Sequence, residues 1–249
     1  MKAVKKIMFV IALILSFIML TNAEEEEFAS TTKYFKTDTY YNSLLPNSYN
    51  TNAISTSYEI TEEEYENVDE LTGNMASPNV SGSVETTYKK MTTSITKNGN
   101  YYRYKNVLLW KKFPSVRSYD IIGIGHFSTV KVHGSAHFEE YYCFTSGSCY
   151  TNIAHYTQTF NTGSGASFPL PTGSLTTLKT TFYFDVEKNT TLTIISQDAY
   201  GDYSHAITNV TLANSKKYTV NPTGISLDGS IINSYDSITS TIVTLNATW

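Results

Sequence analysis

Two carboxylates and two phenol rings lie within six consecutive residues in the last quarter of the chain: Asp198, Tyr200, Asp202 and Tyr203. A tyrosine ring can stack on the apolar face of a sugar, and a carboxylate can accept hydrogen bonds from the sugar hydroxyls. The glycine in their midst is typical of a loop, whose carbonyls could also join the carboxylates in binding calcium. These four residues are the candidate ligand-binding set, although tyrosines packed on a sheet edge would give the same pattern.

The two cysteines of the chain, Cys143 and Cys149, are separated by five residues of turn-forming composition. In an oxidising compartment such a pair is expected to form a disulfide that closes one small loop. A metal site would need more ligands, and a catalytic thiol is less consistent with this spacing. The sequence therefore predicts a structural disulfide.

Histidines near the cysteines raise the question of a metal site. If Cys143 lies directly opposite Cys149 in an antiparallel hairpin, His137 lies opposite His155 on the face that also carries Glu139. The alternative is a partly exposed pair of histidines across two strands, and we expect no metal and no cofactor.

Catalytic chemistry has little support in the sequence. Gly163-Ser164-Gly165 lacks the Gly-x-Ser-x-Gly frame that exposes a nucleophilic serine. Glu139 and Glu140 are adjacent on a predicted strand, so they point to opposite faces and cannot act as a pair. Asp185 could meet Asp198 or Asp202 only through the fold, and we assign no catalytic residue.

The first residues of the chain have the three-part pattern of a secretory signal peptide. Lysines at positions 2, 5 and 6 precede an apolar run over residues 7–20, and Ala23 supplies a small residue at the expected cleavage site. Fourteen helical residues span only about 21 Å, less than the ~30 Å hydrocarbon core. The sequence thus predicts a signal peptide over residues 1–23 and an extracellular product.

An acidic leader is expected over residues 24–80, mostly irregular and either a tail, a propeptide or a docked element. Within it, Thr61 and Glu64 form a capping box that predicts a short helix near residues 62–71. Tyr65, Val68 and Leu71 share a stripe by which that helix would dock. Attraction between this acidic leader and the more basic remainder of the chain would favour docking.

From about Val84 onward apolar and polar residues alternate with period two, with a turn signal about every ten residues. The strongest local prediction is a hairpin of Met91–Lys97 and Tyr101–Trp110, joined by Asn98-Gly99 in a type I′ turn. Gly123 and Gly125 inside a strand indicate a bulge or a close backbone approach. We expect an all-β, antiparallel β-sandwich over 81–249, with a β-barrel as the alternative. Further strands are expected at 119–132, 137–144, 149–160, 175–187, 190–197, 206–212, 217–220 and 238–248, and a long loop at 161–174.

Composition narrows the class of protein. The chain has 249 residues, 41% of them hydrophobic and 16% charged, with a net charge of −4. This mix excludes a coiled coil, collagen and a polytopic membrane protein, and the acidic balance argues against a nucleic-acid binder. Alternation on a hairpin explains the mixed aromatic and basic residues of Tyr101–Lys105 and Trp110–Phe113.

The sequence favours a secreted, non-enzymatic binding or surface-associated protein that recognises carbohydrate or another cell-envelope component. One alternative is an exported hydrolase whose carboxylates converge in the fold. The other is a protein that inserts strands into a membrane, because Met91–Thr96 and residues 237–248 alternate Ser and Thr with apolar residues. Membrane contact is otherwise expected only through the signal peptide, no nucleic-acid partner is expected, and the oligomeric state is left open.

Overall fold

The computed structural model describes residues 27–42, 52–68 and 83–249. The predicted signal peptide lies outside these residues, and so do residues 69–82, which include Leu71. The described strands, in chain order, are β1 (Glu27–Asn42), β2 (Asn52–Ile60), β3 (Ser83–Asn98), β4 (Tyr101–Lys112), β5 (Tyr119–Gly125), β6 (Val130–Phe144), β7 (Cys149–Asn152), β8 (Tyr156–Phe160), β9 (Gly163–Pro169), β10 (Leu175–Lys188), β11 (Gln197–Ala206), β12 (Tyr218–Asn221), β13 (Gly224–Leu227), β14 (Tyr235–Ser237) and β15 (Thr241–Leu245). Two short helices, α1 (Glu62–Glu66) and α2 (Leu212–Ser215), and a 3₁₀ turn (Ile232–Ser234) complete the elements.

The strands form two antiparallel sheets and a separate hairpin. The first sheet has seven strands in the order β2-β1-β3-β4-β10-β6-β7. The second has the order β14-β11-β5-β9-β8, with β15 also paired to β11, and β12 pairs with β13 alone. Among the described strands neither sheet closes on itself, so the β-barrel alternative is not supported. The arrangement is mostly antiparallel β and consistent with the expected sandwich.

The two sheets share a core because each strand turns alternate side chains inward. Trp110 of β4 meets Tyr203 of β11 edge-on, with ring centroids 6.1 Å apart. Phe138 of β6 lies 4.6 Å from Phe168 of β9. Both contacts join a first-sheet strand to a second-sheet strand, and burying such rings stabilises the fold by about 1.5–3 kcal/mol each.

The acidic leader is not mostly irregular, and that expectation was wrong for the described part of it. β1 is a 16-residue strand that pairs with β3 from Glu27 to Tyr41, and β2 pairs with β1. Residues 27–60 therefore belong to the same sheet as the strands that follow residue 81. The inner face of β1 carries Phe35, Thr37 and Thr39, which are buried although two of them are polar.

The capping box is confirmed, and the helix it begins is shorter than expected. The Thr61 side chain accepts a hydrogen bond from the Glu64 backbone N–H at 3.1 Å, and α1 ends at Glu66. Tyr65 is buried against Tyr34 of β1, with ring centroids 5.1 Å apart. Lys111 Nζ lies 4.9 Å from the Tyr65 ring and donates to Glu66 Oε2 at 3.1 Å. The acidic helix thus docks on the outer face of the first sheet through the Tyr65 ring, the Lys111–Glu66 ion pair and a hydrogen bond that the Tyr34 hydroxyl donates to Glu62.

The β3–β4 hairpin is confirmed, but its turn is not type I′. Asn98 pairs with Tyr101, so the loop residues are Gly99 and Asn100. Gly99 has φ of 62°, and every described residue with positive φ is a glycine. A glycine at the first central position with positive φ is the signature of type II′.

Gly123 and Gly125 mark a close backbone approach rather than a bulge, because the register of β5 is continuous with both neighbours. The β12–β13 hairpin lies across the outer face of the second sheet at this point. A Cβ on Gly125 would come 1.9 Å from the Asn221 carbonyl oxygen, and one on Gly123 would come 3.1 Å from Val220. Only glycine lets the hairpin pack this closely on the sheet.

Several boundaries differ from the sequence prediction. The expected strand at 206–212 does not form, because β11 ends at Ala206 and α2 begins at Leu212. The expected strand at 119–132 is interrupted at residues 126–129, between β5 and β6. The expected loop at 161–174 contains β9, whose residues 163–168 are all buried beneath neighbouring strands and the β12–β13 hairpin. The expected strand at 190–197 is a loop, and β11 occupies Gln197–Ala206 instead. The expected strand at 149–160 breaks at residues 153–155, where the chain passes from the first sheet to the second.

Candidate functional site

The four candidate ligand-binding residues lie on strand β11 and not in a loop. β11 pairs with β5 on one side and with β14 and β15 on the other. Because successive side chains alternate, Asp198, Tyr200 and Asp202 face outward from the second sheet, and Tyr203 faces the first sheet. The structure therefore separates Tyr203 from the other three.

Tyr203 and Asp202 have structural roles in this fold. Tyr203 is fully buried, its hydroxyl donates to Asp120, and burial together with the Asp120 charge raises its pKa well above the usual value. Asp202 is buried under the β12–β13 hairpin, where it accepts from the backbone N–H of Ile225 at 2.6 Å and of Tyr203 at 2.7 Å. Burial raises the pKa of Asp202 to about 7. The expectation that both contact a ligand from a loop does not fit these positions.

Asp198 and Tyr200 remain on an accessible surface, where other side chains join them. The Phe127 ring lies 5.7 Å from the Tyr200 ring at 88°, and Phe127 is 46% exposed. Ile242 of β15 lies directly opposite Tyr200 and is 49% exposed. Thr244, two residues further, donates to Asp198 Oδ1 at 2.6 Å. We call Phe127, Asp198, Tyr200, Ile242 and Thr244 the Tyr200 patch.

The Tyr200 patch combines an apolar platform with a fixed hydrogen-bond acceptor. Thr244 holds one carboxylate oxygen of Asp198, and the Tyr200 hydroxyl lies 3.4 Å from the other. Partial burial and the charge of Asp198 raise the pKa of Tyr200, so its phenol stays protonated and can donate. Rings and aliphatic groups beside a carboxylate suit a ligand with one apolar face and several hydroxyls.

The two histidines proposed as a cross-strand pair do not meet. The predicted register is confirmed, since Cys143 pairs with Cys149 and Tyr142 with Tyr150, but β7 ends at Asn152 before His155 is reached. His137 stacks on Tyr183 of β10 at 4.8 Å, and His155 packs against Phe138. Within residues 27–42, 52–68 and 83–249, no three His, Cys, Asp or Glu side chains are grouped so as to hold a metal ion.

The predicted disulfide is confirmed. Cys143 and Cys149 are bonded, with their Cα atoms 4.0 Å apart across the β6–β7 pair. The bond joins the two arms of the hairpin that ends the first sheet. It stabilises a local turn at the sheet edge and takes no part in the Tyr200 patch.

The carboxylates that a hydrolase would need are dispersed. Asp185 faces outward from the first sheet, where it accepts from Arg103 Nε at 2.9 Å. Asp198 faces outward from the second sheet, on the opposite side of the molecule. Glu139 is exposed and Glu140 is buried, as the alternation of a strand requires.

A buried polar network between the sheets escaped the sequence analysis. Asp236 of β14 accepts from Lys89 Nζ at 3.0 Å and from Thr37 and Ser57. The Nδ1 atom of His205 lies 2.9 Å from Asp120 Oδ2, and His205 pairs across strands with Asp236. These side chains are almost inaccessible to solvent and satisfy one another's hydrogen bonds, so we assign the network to structure.

One signal in the sequence could have found part of this network. Lys89 and Lys90 are adjacent on a strand, so one of them must face inward. The inward face of β3 also carries Glu85 and Thr87, which predicts a polar interior. The partner Asp236 could not be found, because its pairing with Lys89 spans 147 residues.

Comparison with known proteins adds no identification. The chain matches no protein-family model, and no curated protein and no solved structure is detectably similar to it. In the part of the chain that the structure describes, no helix is both long enough and apolar enough to cross a membrane.

Proposed function

We propose that the chain is a secreted, non-enzymatic binding protein that recognises carbohydrate through the Tyr200 patch. The observation that carries the proposal is the accessible surface on which Phe127 and Ile242 flank Tyr200, whose hydroxyl lies 3.4 Å from the Asp198 carboxylate. A sugar ring presents an apolar C–H face to such a platform and donates its hydroxyls to such a carboxylate.

Binding rather than catalysis is supported by the distribution of charged groups. Of the three carboxylates considered for a hydrolase, Asp185 and Asp198 face outward from opposite sheets, and Asp202 is buried under the β12–β13 hairpin. Hydrolysis by paired acids requires two carboxyl groups facing one substrate. Asp185, Asp198 and Asp202 therefore do not form such a pair.

Export is supported by two features that act together. The predicted signal peptide directs the chain out of the cytoplasm. The Cys143–Cys149 disulfide belongs to a type of bond that persists in oxidising compartments. A carbohydrate of the cell envelope or of a neighbouring cell surface is the ligand that such a location makes available.

A glycan array probed with the exported chain tests the proposal, followed by titration calorimetry with the oligosaccharides that bind. Tyr200→Ala and Asp198→Asn should each weaken binding by about tenfold or more, because each removes one of the two kinds of contact. Tyr58→Ala is the matched control, since Tyr58 is an exposed tyrosine on the edge strand β2, away from the patch.

Two results would count against carbohydrate binding at this site. One is an array without any bound glycan. The other is an oligosaccharide whose affinity is unchanged by both patch substitutions. Because Asp198 and Tyr200 lie on the surface, circular dichroism should show that both variants remain folded.

A further inference from the structure

The loop between β10 and β11, residues 189–196, is fixed to the molecule at both ends. Asn189 donates through its backbone N–H to Thr129 O at 2.8 Å and through Nδ2 to Ser128 O at 3.1 Å. Ile194 and Trp249 exchange two backbone hydrogen bonds, of 2.8 and 3.1 Å. The loop is therefore held in one conformation by four hydrogen bonds to other segments.

This fixed loop exposes two large aliphatic side chains. Leu192 is 73% exposed and Ile195 is 74% exposed, and these are the highest values among the large apolar side chains of the described residues. Ile194, between them in sequence, is buried in the core. Ile194 therefore anchors the loop in the core, while Leu192 and Ile195 face solvent.

The exposed pair lies at the same end of the molecule as Phe127. Asn189 binds the loop that carries Phe127, through the carbonyls of Ser128 and Thr129. Ile195 precedes β11 by two residues, and β11 begins with Gln197 and Asp198. The apolar end is thus continuous with the Tyr200 patch, and we call Phe127, Leu192 and Ile195 the apical cluster.

Basic side chains flank the apical cluster. Lys188 immediately precedes the loop, and Lys131 lies on the neighbouring strand β6, where its side chain is 53% exposed and its Nζ lies 3.0 Å from Glu187 Oε1. Lys97 lies at the end of β3, beside Asn98, whose side chain donates to Asp185 near the end of β10. Anionic headgroups attract lysines in such a position, at an apolar tip.

The composition of this end favours lipid over a protein partner. Energetically important residues of protein interfaces are mainly Trp, Tyr and Arg, and Leu, Ser and Thr are under-represented among them. The loop reads Asn-Thr-Thr-Leu-Thr-Ile-Ile-Ser. Three side chains on two loop tips also form a far smaller surface than a stable protein interface of ~800 Å² per partner.

We propose that the apical cluster docks the protein on a phospholipid bilayer that contains anionic lipid. Leu192 and Ile195 insert among the headgroups and upper acyl chains, where aliphatic surface leaves water. Lys188 and Lys97 face the anionic headgroups, and the Tyr200 patch lies beside the membrane. Docking in this way does not depend on whether the patch binds carbohydrate.

Flotation of the exported chain with vesicles tests the proposal, using phosphatidylcholine vesicles with and without phosphatidylglycerol. The wild-type protein should float with the anionic vesicles. The double variant Leu192→Ser/Ile195→Ser should bind these vesicles at least about tenfold more weakly. Added salt should weaken wild-type binding, because it screens the lysines from the headgroups.

The matched control is Ile54→Ser/Ile153→Ser. Ile54 and Ile153 are 68% and 70% exposed, so the two double variants remove similar exposed apolar surface, but they lie elsewhere on the molecule. The control should float as the wild type does. All proteins share the same N-terminus, confirmed by mass spectrometry, so a retained signal segment cannot account for a difference.

The proposal is overturned if the wild-type protein floats with neither kind of vesicle, or if the two double variants lose vesicle binding equally. Binding to soluble oligosaccharide, measured on the same variants, separates this inference from the proposed function. Leu192→Ser/Ile195→Ser should keep it, and Asp198→Asn should lose it while still floating with vesicles.

Discussion

Lys89 and Asp236 place two opposite charges between the sheets, almost out of contact with water. Lys89 Nζ also lies 5.0 Å from the Trp110 ring, so its charge has an aromatic neighbour as well as a carboxylate. Burial by itself would raise the pKa of Asp236, but Lys89 and a hydrogen bond from Ser57 hold it at about 2. The Asp236 carboxylate therefore stays charged beside Lys89, and each group depends on the other.

Removing one member of this pair should destabilise the protein strongly. Lys89→Met leaves the Asp236 carboxylate buried without its counter-ion, which costs about 3–5 kcal/mol. The double variant Lys89→Met/Asp236→Leu should recover much of that loss, because no uncompensated charge remains. Urea unfolding measures each free energy.

The control for this cycle is Lys131→Met. Lys131 pairs with Glu187 at 3.0 Å on the outer face of the first sheet, where solvent screens both charges. Its loss should change stability far less than the loss of Lys89. Equal effects of the two lysine substitutions would contradict the role assigned to the buried pair.

The β3–β4 hairpin shows how an element depends on one backbone conformation. Gly99 has φ of 62°, and no atom lies within 4 Å of the position that a Cβ would occupy. Any penalty for a side chain there is therefore conformational and not steric. Gly229 is the natural comparison, because its surroundings are equally open and its φ is not in the left-handed region.

Gly99→Ala should lower the free energy of unfolding by about 1–2 kcal/mol, the usual penalty for an L-residue in a left-handed conformation. Gly229→Ala should be neutral or slightly stabilising, because alanine restricts the unfolded chain. Chemical denaturation of both variants measures the difference. Equal stability of the two would show that the turn does not require glycine.

Patterns of residues that are neighbours in sequence predicted some elements correctly and failed to predict others. The hairpin at Gly99, the register around Cys143 and the cap at Thr61 depend on neighbours in sequence, and all three could be predicted. β1 could not, because its inner face carries threonines and so lacks an apolar period of two. Its pairing with β3 decides its conformation, and such context overrides propensity.

The candidate site, too, could be predicted from the sequence only in part. Alternating side-chain direction on a strand could have separated Tyr203 from Tyr200, but a glycine beside two aspartates indicated a loop. Phe127, Ile242 and Thr244 reach the Tyr200 patch from two other segments, so no local pattern could reveal them. β9 was missed because its glycines resemble a loop, whereas they are there to admit Val220 of the overlying hairpin.

At the scale of the whole molecule, buried carboxyl groups make stability depend on pH. Burial raises the pKa of Glu140 to about 8 and that of Asp202 to about 7, from the model-peptide values of 4.5 and 3.8. Between those limits the folded state binds protons that the unfolded state has released. Each group therefore stabilises the fold fully at acid pH, and that contribution is lost as the pH rises.

Two buried groups whose pKa values are lowered affect stability at lower pH. Burial lowers the pKa of His126 below 6.5, so unfolding takes up a proton there and stability from this residue is lost as the pH falls below 6.5. Asp236, with its pKa held at about 2, likewise loses its contribution only as the pH falls below 3.8. The interval above pH 6.5 is thus where the raised carboxyl groups dominate.

We expect the free energy of unfolding to fall as the pH rises from 6.5 to 8, and Glu140→Gln to reduce that fall, because glutamine carries no proton to lose. Glu139→Gln is the matched control: Glu139 is adjacent in sequence but exposed on the other face of β6, so this variant should keep the wild-type slope. Urea unfolding at a series of pH values gives the three slopes. Parallel curves for wild type and Glu140→Gln would mean that the buried carboxyl group releases its proton at the same pH in the folded and unfolded chain, and that solvent reaches it between the sheets.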